Sequence, residues 1–102
     1  MNKGSLVITT ARTMGVRPST QAEIDAWYKR MYAIAAHDSA GESWIHDGTT
    51  VVDLPAGTPA MVLRARCTAR VGWTVRSGYV EIVGTDGVPV KVPRRDLAPR
   101  HG

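Results

Sequence analysis

The sixteen residues from Met61 to Arg76, MVLRARCTARVGWTVR, constrain the fold more than any other part of the chain. The odd positions are Met61, Leu63, Ala65, Cys67, Ala69, Val71, Trp73 and Val75. The even positions carry Arg64, Arg66, Arg70 and Arg76 beside Val62, Gly72 and threonines. Successive side chains of a strand point to opposite faces, so the pattern predicts β-structure with one buried apolar face and one wet, arginine-bearing face. A helix requires apolar residues three and four apart, and that spacing fails here. The stretch is long for one strand, so a break near Arg70 to Gly72 is expected, with strands over about 60–68 and 73–83.

The segments before it carry clearer local punctuation. Leu6 to Thr10 is a short β-branched run that reads as an edge strand, and Arg12 to Pro18 reads as a linker around Gly15 and Pro18. Thr20 and Glu23 form a capping box, because the hydroxyl can accept from the Glu23 amide while the carboxylate reaches back to the Thr20 amide. A helix over about 21–36 follows, with Ile24, Trp27, Tyr28, Met31, Ile34 and Ala35 on one face. His37 to Gly48 reads as a loop, Thr49 to Asp53 as a strand, and Leu54 to Pro59 as a turn-rich connection. Downstream, Thr85-Asp86-Gly87 signals a hairpin, Val88 to Val92 a strand, and Arg94 to Leu97 a single helical turn.

From Val51 onward the order of parts resembles a Src-homology-3-like small barrel of the bacterial or KOW type. The resemblance rests on Leu54-Pro55-Ala56-Gly57-Thr58 before Met61-Val62-Leu63, on Gly72-Trp73-Thr74-Val75, on Thr85-Asp86-Gly87, and on Val92-Pro93 followed by Asp96-Leu97. It implies an α+β fold in which the N-terminal helix packs on a small five-stranded, partly open β-barrel. Residues 1–102 would form a single domain, with strand, helix and loop over 1–48 and the barrel over 49–102. Val51-Val52-Asp53 stands where the proline-peptide receptors of the family carry a tyrosine-rich motif, and no second Trp follows Trp73. Recognition of proline-rich peptides is therefore not implied.

Charge narrows the partners. The chain has 102 residues and a net charge of +4, unevenly placed. Residues 1–58 hold five basic and six acidic residues, whereas 59–102 hold eight basic and three acidic. Seven of those eight are arginine, whose planar fork suits phosphate and carboxylate. Arg64, Arg66, Arg70, Arg76, Lys91, Arg94 and Arg95 are the candidate contacts, with Trp73 at their margin for stacking. Nucleic acid or an acidic protein surface is the expected partner.

Catalytic and cofactor chemistry is not indicated. His37-Asp38 and His46-Asp47 match no standard metal spacing and read as loop polar residues. No serine lies in a nucleophile motif, and no glycine-rich segment ends as a phosphate-binding loop does. Cys67 is the one cysteine, read as a small buried hydrophobe, and no intrachain disulfide is possible. The apolar run Leu6-Val7-Ile8 is too short for a signal peptide, and a cytoplasmic protein without membrane contact is expected. The chain thus reads as a non-enzymatic basic binding module, without cofactor or metal, that acts on nucleic acid or within a nucleoprotein assembly. The alternative is a protein-interaction subunit, or an accessory or inhibitor protein such as a phage or mobile element encodes.

Overall fold

The structure is a computed structural model that describes residues 1–35 and 46–100. Seven strands and one helix are seen: β1 (Leu6–Thr9), β2 (Thr13–Pro18), α1 (Gln21–Ala35), β3 (Thr49–Leu54), β4 (Pro59–Val71), β5 (Thr74–Val83), β6 (Pro89–Pro93) and β7 (Leu97–Pro99). A 3₁₀ turn, Arg94–Asp96, joins β6 to β7 as the sequence predicts. All seven strands belong to one antiparallel sheet in the order β3-β2-β6-β5-β4-β1-β7. Its prolines fall at strand ends, where a missing amide interrupts no ladder.

This open sheet replaces the expected five-stranded, partly open barrel. The two N-terminal strands are not additions beside a barrel. β1 lies between β4 and β7 rather than at an edge, and β2 lies between β3 and β6. The supposed linker is therefore a strand. Thr13, Gly15 and Val16 are buried, and β2 pairs with β3 along its whole length. Gly15 marks a close approach: a Cβ there would meet Val90 Cβ at 3.4 Å. The start of β2 is fastened by Thr13, whose hydroxyl donates to Asp96 Oδ2 at 2.7 Å.

The core is aliphatic and comes from strands alone. Val7, Val62, Val80, Ile82 and Val92 are fully buried, joined by Ala60, Val90 and Leu97. Each valine, leucine or isoleucine among them contributes about 1.5–3 kcal/mol on burial. Among the residues of α1 from Gln21 to Ile34 none is buried, so over this stretch the helix does not pack a continuous apolar face on the sheet as expected. Ile34 and Tyr32 are exposed, and Ile24, Trp27, Tyr28 and Met31 are half-buried. Polar groups anchor the helix instead. The capping box forms, with Glu23 N–H donating to Thr20 Oγ1 at 3.2 Å and Thr20 N–H donating to Glu23 Oε1 at 2.9 Å. Arg17 of β2 grips the same carboxylate through both guanidinium nitrogens, at 2.7 and 2.8 Å.

The single apolar face expected for 61–75 is also corrected. Val62 is fully buried and Met61 is exposed. Extra residues on β4 interrupt the pairing between Val62 and Arg64 and again between Arg64 and Cys67, and β5 carries one opposite Cys67 to Ala69. Each extra residue reverses which side of the strand faces in. Ala60 and Val62 point to the core before the bulges, and Ala69, which lies outside that core cluster, is buried beyond them opposite Arg76. The predicted break appears as a two-residue turn at Gly72-Trp73. Gly72 has φ 62°, the left-handed value that the first central position of such a hairpin requires.

Candidate nucleic-acid interface

Beyond Ala65 the β4–β5 hairpin becomes a two-stranded ribbon. β6 pairs with β5 only over Tyr79 to Val83, and β1 pairs with β4 only over Pro59 to Met61. The backbone ladder over Cys67 to Gly78 is therefore formed within the hairpin alone, from Cys67↔Tyr79 to Val71↔Thr74. The molecule is elongated, measuring 55 × 24 × 22 Å.

The predicted basic residues divide into two groups. Arg66 and Arg76 are exposed on the ribbon and make no ion pair or side-chain hydrogen bond among the described residues. Arg70 is exposed near the tip, with its guanidinium carbon 5.4 Å from the Trp73 ring centroid. That is cation–π distance, and it holds Trp73 in place although the indole is 66% exposed. The second group is engaged. Arg64 Nε lies 3.6 Å from Glu81 Oε1 on the opposing strand. Lys91 Nζ donates to the Thr68 carbonyl at 2.8 Å, and Arg94 donates to the Ala65 carbonyl at 3.4 Å. These two bonds draw β6 and the 3₁₀ turn toward the ribbon, so Lys91 and Arg94 do join the arginine run. Arg95 is exposed in the 3₁₀ turn, and no described contact ties it to the others.

The row is not one strand face. The bulge between Arg64 and Cys67 places Arg64 on the side shared by Cys67, Glu81 and Tyr79, while Arg66, adjacent to Cys67, points the other way. Cations therefore line both sides of the ribbon. Cys67 is half-buried, with its thiol 3.5 Å from the Tyr79 carbonyl, and burial pushes its pKa up.

Sequence reasoning missed the contribution of the body. Trp27, His46, Asp47, Thr49 and Trp73 line a recess of about 280 Å³ between α1, the segment before β3 and the hairpin tip. The ring of His46 meets Trp27 edge-on at 5.0 Å, and the Tyr28 hydroxyl accepts from the His46 amide at 3.1 Å. Asp47 Oδ1 accepts from the Thr49 amide at 2.9 Å and from its hydroxyl at 2.8 Å. The Thr49 amide and hydroxyl hold the Asp47 carboxyl below its usual pKa, and the charge of Arg70 acts in the same direction. An adjoining groove of about 640 Å³ shares Asp47 and Thr49 with the recess and is bordered by Arg17, Arg70, Glu81 and Lys91. In the sequence Trp27 belongs to the apolar face of the helix and His46-Asp47 reads as loop polarity. Only their separation from Trp73 by long stretches of sequence concealed the grouping.

Metal chemistry gains no support from these residues. Among the described residues no group of three or more His, Cys, Asp or Glu side chains is placed to hold an ion. His37 and Asp38 lie outside the described residues. Among the described residues no helix is long and apolar enough to cross a membrane. Compared with family models, with curated proteins and with solved structures, the chain matches none.

Proposed function

We propose that this chain is a non-enzymatic, cytoplasmic binding module that contacts nucleic-acid phosphates through the β4–β5 ribbon. One observation carries the reading: Arg66, Arg70 and Arg76 are exposed on a narrow ribbon, have no carboxylate within ion-pair distance among the described residues, and flank an exposed Trp73. Unpaired guanidinium groups on a two-sided ribbon attract a chain of phosphates by releasing its counterions. An aromatic ring among them adds a stacking surface that any base can use. Lys91 and Arg94 extend the same field from the adjacent elements, while Arg64 is partly neutralised by Glu81. The half-buried free thiol of Cys67 fits a reducing compartment.

The test is fluorescence anisotropy with labelled DNA and RNA, single- and double-stranded, over a range of salt concentrations. Affinity should fall linearly on a log–log plot against salt. An Arg66→Gln, Arg70→Gln, Arg76→Gln variant should lose about 2–3 from that slope, because each phosphate contact contributes roughly 0.7–0.9. No binding at low salt refutes the proposal.

The second reading is an acidic protein partner. It is favoured by Val75, which is 67% exposed near Trp73 and adds apolar area that a phosphate chain does not use. Exposed tryptophan and arginine are the residue types that dominate protein interfaces. Recovery of one partner after nuclease treatment, lost in a Trp73→Ala variant, would favour this reading.

A further inference from the structure

We propose that the recess between Trp27 and Trp73 is a binding site for one unpaired nucleobase, with Asp47 accepting a hydrogen bond from a base N–H. The inference rests on the nucleic-acid reading above and adds to it which form is bound and where its base goes. The recess combines three features that a nucleobase needs together. The first is aromatic walls from separate parts of the chain, Trp27 of α1 and Trp73 of the hairpin turn. Base-on-indole stacking is sequence-tolerant, because every base has a π-face.

The second is an edge with open hydrogen-bonding capacity. Both Thr49 donors go to Asp47 Oδ1, so Oδ2 has no hydrogen-bond partner among the described residues. His46 Nδ1 accepts from the Gly48 amide at 2.8 Å, so the neutral imidazole carries its proton on Nε2 and keeps a donor there. The recess wall thus supplies an acceptor and a donor side by side in sequence. The third feature is a cation for the attached phosphate. Arg70, stacked on Trp73, borders the adjoining groove, and Lys91 borders it further on. A base seated against the indoles would leave its own phosphate near these two positive charges. A paired base has both faces covered by its neighbours in the stack, so the site selects single strands or extruded bases.

The experiment compares two single-stranded oligonucleotides of equal length and charge, one with bases and one fully abasic, titrated against the wild-type protein by anisotropy and by tryptophan quenching. The base-bearing strand should bind about tenfold tighter or more and quench the indole emission. Trp73→Ala should remove that advantage, Trp73→Tyr should restore most of it, and both should leave the abasic strand's affinity unchanged. Asp47→Asn keeps an acceptor for Thr49 and should weaken only the base-bearing strand. Equal, salt-sensitive binding of the two strands overturns the base site while leaving the phosphate-binding ribbon standing. Absence of binding by either strand overturns both.

Discussion

Replacing Val62 by Ala and, in a separate variant, Met61 by Ala tests the facing of β4. Val62 is fully buried among Val7, Val80, Ile82 and Val92, whereas Met61 is 39% exposed. Truncating Val62 removes two carbons from a filled site, about 1.6 kcal/mol by transfer, and leaves a void that the paired strands cannot close. The total loss should be about 2–3 kcal/mol. Met61 gives up surface that water already reaches in part, so its truncation should cost about 1 kcal/mol or less. For a domain of this size, the Val62→Ala loss lowers Tm by about 10–20 °C. Urea unfolding followed by circular dichroism measures both, with the m-value checked to be unchanged. If Met61→Ala is as damaging as Val62→Ala, the inward facing of the even positions at the start of β4 is wrong.

Three further outcomes follow from single contacts. The Arg17 guanidinium, helped by the Thr20 amide, holds the Glu23 carboxyl down to about 2 from the ordinary 4.5. Its anchoring of α1 is therefore complete above pH 4.5 and is lost as pH falls through about 2. Thermal melts across that window should show the decline, and a Glu23→Gln variant that declines equally would refute the assignment. Gly72→Ala forces a Cβ into left-handed backbone at φ 62° and should destabilise the hairpin by about 1 kcal/mol, read by urea unfolding, with an unchanged midpoint as the contrary result. Burial raises the Cys67 thiol pKa, so the native protein should react with a thiol reagent at pH 8 more slowly than in urea, and equal rates would contradict the half-buried placement.

Some features were legible because their cause is local. The capping box formed between Thr20 and Glu23, and α1 follows it over Gln21–Ala35, since both partners lie within one turn. The turn at Gly72-Trp73 and the 3₁₀ turn at Arg94–Asp96 were likewise written in a few adjacent residues. β2 was hidden because Thr13 to Pro18 contains a glycine and a proline, and its identity as a strand depends on β3 and β6 being beside it. The arginines were identified as exposed from pattern alone, but their division into free and engaged groups was not. Arg64 is engaged by Glu81, seventeen residues away, and Lys91 by the Thr68 carbonyl, twenty-three away.

What the sequence determined by itself is the β-rich character of the C-terminal half, the helix with its cap, and the concentration of arginine between Arg64 and Arg76. Periodicity, capping and charge act over a few residues, so they can be read without knowing the partners. What only the tertiary structure decided is the arrangement in space: seven strands in one open sheet, a β4 that turns Val62 inward and is bulged beyond it, and a recess that unites Trp27, Asp47 and Trp73. Strand order and register depend on which distant segments share hydrogen bonds and a core. A single extra residue reverses every side chain beyond it, so no count of alternating letters could have fixed that outcome.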